Sequence, residues 1–153
     1  LNPMRILLFG PPGCGKTTMV ESMLRHGVPG FDLETLSKRD KNGLWRQDVY
    51  LTRLHQLKLE FTDVVVGGAA LLPRRDYPGW IKVLILPPRE QYLIRRENRD
   101  LDKPAKLGQT QASKAWRAFY ELYQGGVFDV RLTSRNGNIA NDVLHVRQLI
   151  ACK

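Results

Sequence analysis

The sequence predicts an α/β fold, a three-layer α/β/α sandwich built on a five-stranded parallel sheet. Three observations lead there. Short apolar runs alternate with longer segments of helical periodicity from one end of the chain to the other. Ile6 to Phe9, Val64 to Val66 and Val83 to Leu86 are continuously apolar, as expected of parallel strands covered on both faces. Three of the five expected strands run into Gly or Pro, the residues that end strands and open turns.

Arg5 to Phe9 reads as a buried strand ended by Gly10. Lys16 to Arg25 has helical character, with Met19, Val20 and Met23 on one face and Gly27 as its stop. Val28 to Leu33 is a second strand, weakened by Pro29 and Gly30. Ser37 to Leu44 is polar and carries the turn signal Asn42-Gly43. Trp45 to Phe61 has a helical stripe of Val49, Leu51, Leu54, Leu57 and Phe61. Thr62 to Val66 is a buried strand leading into Gly67-Gly68, and Trp80 to Leu86 another, closed by Pro87-Pro88. Glu90 to Asp100 follows as helix, Lys103 to Gly108 as a basic loop, and Gln111 to Tyr123 as helix ended by Gly125-Gly126. Val127 to Thr133 is the last strand. Asn136-Gly137-Asn138 is a turn, and Ile139 to Ile150 a final helix.

A length of 153 residues suits one domain, and a composition 42% hydrophobic and 25% charged suits a packed core. No apolar run approaches the ~20 residues of a membrane span, so no membrane partner is expected. Ile6 to Phe9 is too short for a secretory signal. Leu1-Asn2-Pro3, ahead of Met4, is set aside as a remnant, leaving residues 4–153 as the expected domain. Cys14 and Cys152 are the two cysteines, which argues against a disulfide framework and for a reducing, cytoplasmic setting. His26, His55 and His145 lack metal-ligand spacing.

The formal net charge is +9 and the isoelectric point about 9.9, which suggests anionic ligands or a polyanionic partner. Between Arg74 and Arg117 there are eleven Lys and Arg against five Asp and Glu. Most of the excess therefore sits in that stretch.

The junction between the first strand and first helix reads Gly10-Pro11-Pro12-Gly13-Cys14-Gly15-Lys16-Thr17, followed by Thr18. Glycines let successive backbone N–H groups turn inward as a nest for phosphate oxygens. A Lys at this spacing reaches the β- and γ-phosphates, the Thr hydroxyl ligates Mg²⁺, and the helix N-terminus favours the same anions. The strand before and the helix after supply the context that the motif requires. On Gly10, Gly15, Lys16 and Thr17 the chain resembles the P-loop nucleoside triphosphatases. That resemblance implies ATP and Mg²⁺ as cofactors, held by residues 10–18.

Four further features resemble small P-loop kinases. The chain is shorter than the ring-forming ATPases that share this style of loop. The third strand ends in Gly67-Gly68, where an ATP-hydrolysing machine would carry an acid for Mg²⁺ and water. This pair resembles the glycine-rich acceptor loop of shikimate-kinase-like enzymes. Asp32 and Glu34, two apart at the end of the second strand, share one face of an extended segment at the ligand edge of the sheet. Small kinases carry such a pair there, which implies Asp32 as the base or acceptor-orienting residue and a Mg²⁺ contact, with Glu34 assisting. Arg95, Arg96 and Arg99 lie in a segment, about 89–110, similar to the lid of nucleotide and shikimate kinases, where arginines stabilise the transferring phosphate. Arg135, after the last strand, matches the loop that wraps the adenine in such enzymes.

The acceptor stays open at this point. A nucleotide, free or within DNA, fits the charge, and polynucleotide kinases and phage kinases acting on hydroxymethyluracil in DNA use this loop type. Arg74, Arg75, Lys103, Lys106, Lys114 and Arg117 would then meet backbone phosphates, with Tyr77, Trp80 and Trp116 either stacking on bases or packing in the core. A small polyol or shikimate-like acid fits Asp32 and Gly67-Gly68 but not the charge. An ATPase or nucleotide-binding module without an acceptor is the remaining reading.

Overall fold

The computed structural model describes residues 3–33, 39–99, 105–133 and 146–148. Five strands, β1 (Arg5–Phe9), β2 (Gly30–Asp32), β3 (Val64–Gly67), β4 (Ile81–Ile85) and β5 (Val130–Leu132), form one sheet in the order β2-β3-β1-β4-β5. Every pairing is parallel. Four helices complete the named elements: α1 (Lys16–Arg25), α2 (Gln47–Glu60), α3 (Arg89–Arg99) and α4 (Ala105–Gln124).

The strand side chains alternate between two cores. Ile6, Leu8, Val65, Val83, Ile85, Val130 and Leu132 face one way, against Met19, Val20 and Met23 of α1, Tyr92 of α3 and Ala112 of α4. Leu7, Phe9, Val64, Val66 and Leu84 face the other way, against Tyr50, Leu54 and Leu57 of α2 and the side chains of Tyr77 and Trp80. Both faces are therefore dry, which is what the unbroken apolar runs require. Trp116 packs against both cores and donates its indole N–H to the Pro87 carbonyl at 2.8 Å.

Local chemistry explains the ends of the elements. Gly27 (φ 82°) ends α1: its N–H bonds to the Leu24 carbonyl, and the Val28 N–H to the Met23 carbonyl, the paired bonds of a Schellman motif. β2 is shorter than the sequence suggests, because Pro29 offers no N–H to the ladder, although its carbonyl still accepts from Val65 at 2.9 Å. Helix α4 starts at Ala105, so the expected basic loop gives way to helix from that residue on. Ala105, Lys106 and Leu107 are strong helix formers, and Gly108 alone does not outweigh them. The Asn42-Gly43 turn is present: Asp40 accepts the N–H groups of Asn42 and Leu44, and Gly43 has φ 78°. Of the expected final helix, 146–148 is helical; Arg135 and the 136–138 turn lie outside the described residues.

The segment between β3 and β4 is strapped to the sheet. Tyr77 donates to the Leu72 carbonyl at 2.8 Å, and Lys58 to the Pro78 carbonyl at 3.0 Å. Lys82, only 9% exposed, donates to the Pro73 carbonyl at 2.7 Å, with its ammonium 5.6 Å from the Tyr77 ring centre. A buried ammonium needs such partners, here a carbonyl dipole and an aromatic face. Tyr77 and Trp80 are core residues, which corrects the option that they stack on bases. No helix among the described residues is long and apolar enough to cross a membrane.

Burial within α2 sets a clear contrast. Leu57 is 0% exposed and Leu59 is 77% exposed. Leu57→Ala should cost about 2–5 kcal/mol in denaturant unfolding, and Leu59→Ala less than about 0.5 kcal/mol.

Candidate functional site

A cleft of about 600 Å³ opens at the carboxyl ends of the strands, lined by Pro12, Gly13, Gly15, Lys16, Thr17, Thr18, Glu21, Asp32, Gly67, Ala69 and Arg96. In an open parallel sheet this edge is where ligands settle.

The loop from Gly10 to Gly15 forms one wall. A side chain at Gly10 would collide with the Cys14 sulfur and sit 2.5 Å from the Ile85 carbonyl, so only glycine lets the loop pack on the end of β4. Gly13 (φ 77°) and Gly15 (φ 111°) adopt left-handed backbone, the geometry of an anion nest. Gly15 is the N-cap of α1 and brings no side chain to it, leaving the first-turn N–H groups directed at the cleft end. The Lys16 ammonium curls into the loop, donating to the carbonyls of Gly10 at 2.6 Å and Pro11 at 3.3 Å. Thr17 and Thr18 are exposed to the cleft.

Cys14 is fully buried beneath the loop. Burial pushes its thiol above the ordinary cysteine range, and the nearby Lys16 ammonium only partly opposes this. It is therefore a neutral packing residue at pH 7 and a poor nucleophile. Pro11 and Gly10 are buried too, and they support the cleft from behind.

The facing wall comes from β2 and β3. Asp32 pairs in register with Gly67, and a Cβ on Gly67 would lie 3.6 Å from the Asp32 carboxyl carbon and Oδ1. The absence of a side chain there leaves the carboxylate beside open backbone. Gly68 is buried and outside the lining; its N–H bonds to the Leu8 carbonyl at 2.8 Å, so its part is to carry the chain away from β1. Of the three arginines, Arg96 lines the cleft and Arg95 does not. Arg99 lies in α3 with its side chain outside the described part, as is Glu34 altogether.

Glu21, Ala69 and Tyr92 are not evident as site residues from the sequence. Glu21 follows Thr17 by one turn of α1, a spacing that could have placed it in the cleft. Tyr92 gave no signal: its hydroxyl donates to the Pro12 carbonyl at 2.7 Å across 80 positions of sequence.

A loop whose glycines take positive φ, an inward lysine and a capless helix start fit a chain of phosphates. Among the described residues no group of three or more His, Cys, Asp or Glu could hold a metal by itself. The Thr17 hydroxyl and Asp32 carboxylate are hard oxygen donors, suited to a Mg²⁺ whose other ligands are phosphate oxygens and water.

Residues 6–58 match the family model described as ATPase family associated with various cellular activities (AAA). The match ends before β3 and so does not include Gly67. Solved structures match over almost the whole chain. The shikimate kinase from Acinetobacter baumannii in complex with shikimate has a TM-score of 0.65 at 20% identity, covering 97% of this chain and 93% of its own. The five-stranded parallel sheet with the loop at the end of its central strand decides the fold. The chain has the P-loop NTPase fold. A gluconokinase from Sinorhizobium meliloti shares this P-loop fold with a TM-score of 0.61 at 20% identity, covering 97% of this chain and 92% of its own. The deoxyadenosine kinase from M. mycoides, with products dCMP and dCDP bound, has a TM-score of 0.57 at 15% identity, covering 98% of this chain and 100% of its own. No curated protein matches the sequence.

The P-loop thiol supplies a direct check on the packing. In a Cys152→Ser background, maleimide labelling of Cys14 at pH 8 should run at least about a hundredfold slower in the folded protein than in urea. Equal rates would show the thiol to be accessible and the loop unpacked.

Proposed function

We propose that this chain is an ATP-dependent phosphotransferase that moves the γ-phosphate to a hydroxyl group. The observation that carries this reading is the Asp32 carboxylate lying beside Gly67 in the same cleft as Lys16, Thr17 and Arg96. A carboxylate facing a phosphate cradle suits a proton acceptor for an attacking hydroxyl.

The residues divide the work. Backbone N–H groups of the loop and the Lys16 ammonium hold the phosphate chain, and Arg96 neutralises charge that builds on the transferring group. Asp32 orients the acceptor hydroxyl and takes its proton as the oxygen bonds to the γ-phosphorus and the bond to the β-phosphate oxygen breaks. Mg²⁺ held near Thr17 and Asp32 would offset phosphate charge. Gly67 and Ala69 leave room for the acceptor against the backbone.

Gly67 and Ala69 in the lining, and no aromatic side chain among the described lining residues, suit a small hydroxylated acceptor. The solved kinases of similar fold include enzymes for shikimate and gluconate, in keeping with that class. A nucleotide acceptor, free or within DNA, remains supported by the net charge and by the exposed Arg74, Arg75, Lys114 and Arg117. Acceptor-independent ATP hydrolysis is the second reading, favoured by the AAA match over residues 6–58.

Transfer of labelled γ-phosphate should be followed with a panel of polyols, hydroxy acids, nucleosides, nucleotides and DNA. Phosphate release at the same rate with and without every acceptor would replace the kinase reading by the ATPase one. Lys16→Ala should weaken triphosphate binding at least about tenfold and leave no measurable transfer. Asp32→Asn should keep ATP affinity within about twofold while turnover falls about 10²- to 10⁴-fold; unchanged turnover would remove Asp32 from the mechanism.

A further inference from the structure

Pro11-Pro12-Gly13-Cys14 is a β-turn, closed by the Cys14 N–H on the Pro11 carbonyl at 3.1 Å. Proline fixes φ of Pro12 near about −65°. Gly13 follows with φ 77°. A negative angle and then a positive one define type II, since the primed turns need a positive φ at the position that Pro12 occupies. Types I and II differ mainly by a flip of the middle peptide, here the one joining Pro12 to Gly13. That peptide is trans, so its C=O and N–H point in opposite directions.

Tyr92 meets this peptide from the core. It is fully buried in the cluster that holds Cys14 and Met19, and its hydroxyl donates to the Pro12 carbonyl at 2.7 Å. With the carbonyl drawn toward Tyr92, the Gly13 N–H points the other way, to the cleft that Pro12 and Gly13 line. In the flipped peptide a carbonyl oxygen would face that cleft and repel phosphate.

We propose that Tyr92 is a positioning residue whose hydroxyl holds the Pro12–Gly13 peptide in the type II state, aiming the Gly13 N–H at the bound triphosphate. Arg96 lies one helical turn beyond Tyr92 on α3 and lines the same cleft. One hydroxyl therefore joins the loop to the helix that carries the arginine. The inference rests on the reading above in one respect, that a triphosphate is what the cleft takes.

The test is Tyr92→Phe, which removes one oxygen and keeps the ring. Calorimetry with inorganic tripolyphosphate and with ATP should show binding weakened about five- to tenfold, the loss of one hydrogen bond, at temperatures well below unfolding. In wild type the Gly13 amide resonance should shift on adding tripolyphosphate, and in Tyr92→Phe it should shift less. Binding within twofold of wild type would overturn the proposal. So would a wild-type Gly13 amide that tripolyphosphate leaves unmoved, a measurement that needs no variant to fold. If no acceptor is phosphorylated while the variant still binds tripolyphosphate more weakly than wild type, the kinase reading falls and Tyr92 keeps its role. If transfer is intact and binding in the variant is unchanged, Tyr92 loses that role and the kinase reading stands.

Discussion

The ladder of hydrogen bonds through β2, β3 and β1 sets the width of the cleft. Leu8 pairs with Gly67 and Gly67 with Asp32, so the carboxylate-bearing residue stands two strands from the strand that launches the phosphate loop. Two strand spacings are about 10 Å. That distance is fixed by backbone bonds rather than by side chains. The dry cores on both faces keep those bonds from exchanging with water, so the packing of α1 and α2 is in effect what holds the carboxylate to its place.

The loop itself is held from three directions. Gly10 packs on Ile85, Pro11 accepts from Cys14 and Lys16, and Pro12 accepts from Tyr92. Three consecutive carbonyl-bearing residues are thereby engaged on the protein side. Carbonyls turned inward are what free the N–H groups to face outward, so the anion affinity of the loop follows from where its oxygens are tied. Lys16 belongs to the same arrangement, since its ammonium lies among carbonyls that a phosphate oxygen would compete with.

Much of this was legible in the sequence. β1 and α1 fall where hydrophobic runs and glycines put them, because a continuous apolar run and a Gly-x-x-x-x-Gly-Lys-Thr junction are local signals. Asp32 and Gly67 were legible as strand ends, and Arg96 as one of a cluster. Which arginine of the cluster turns to the cleft was not, because helical phase depends on how α3 docks. The start of α4 is not legible, because charge and glycine suggest a loop where the helix propensity of Ala105, Lys106 and Leu107 prevails. Tyr92 and Lys82 were invisible for one shared reason: each acts by a bond to a distant carbonyl, and carbonyls carry no residue identity.

The two edges of the sheet carry a consequence of their own. β2 and β5 are each three residues long, and they flank three longer or more deeply placed strands. An edge this short offers few unpaired backbone groups to a second chain. Pro29 stands just before one edge, and Arg131 sits in the other with its guanidinium on the Leu86 carbonyl. Proline and a charged side chain are common guards against strand addition. The apolar runs that build the interior are among the most aggregation-prone sequences a chain can carry, and here they sit in the middle of the sheet, behind edges that discourage self-association.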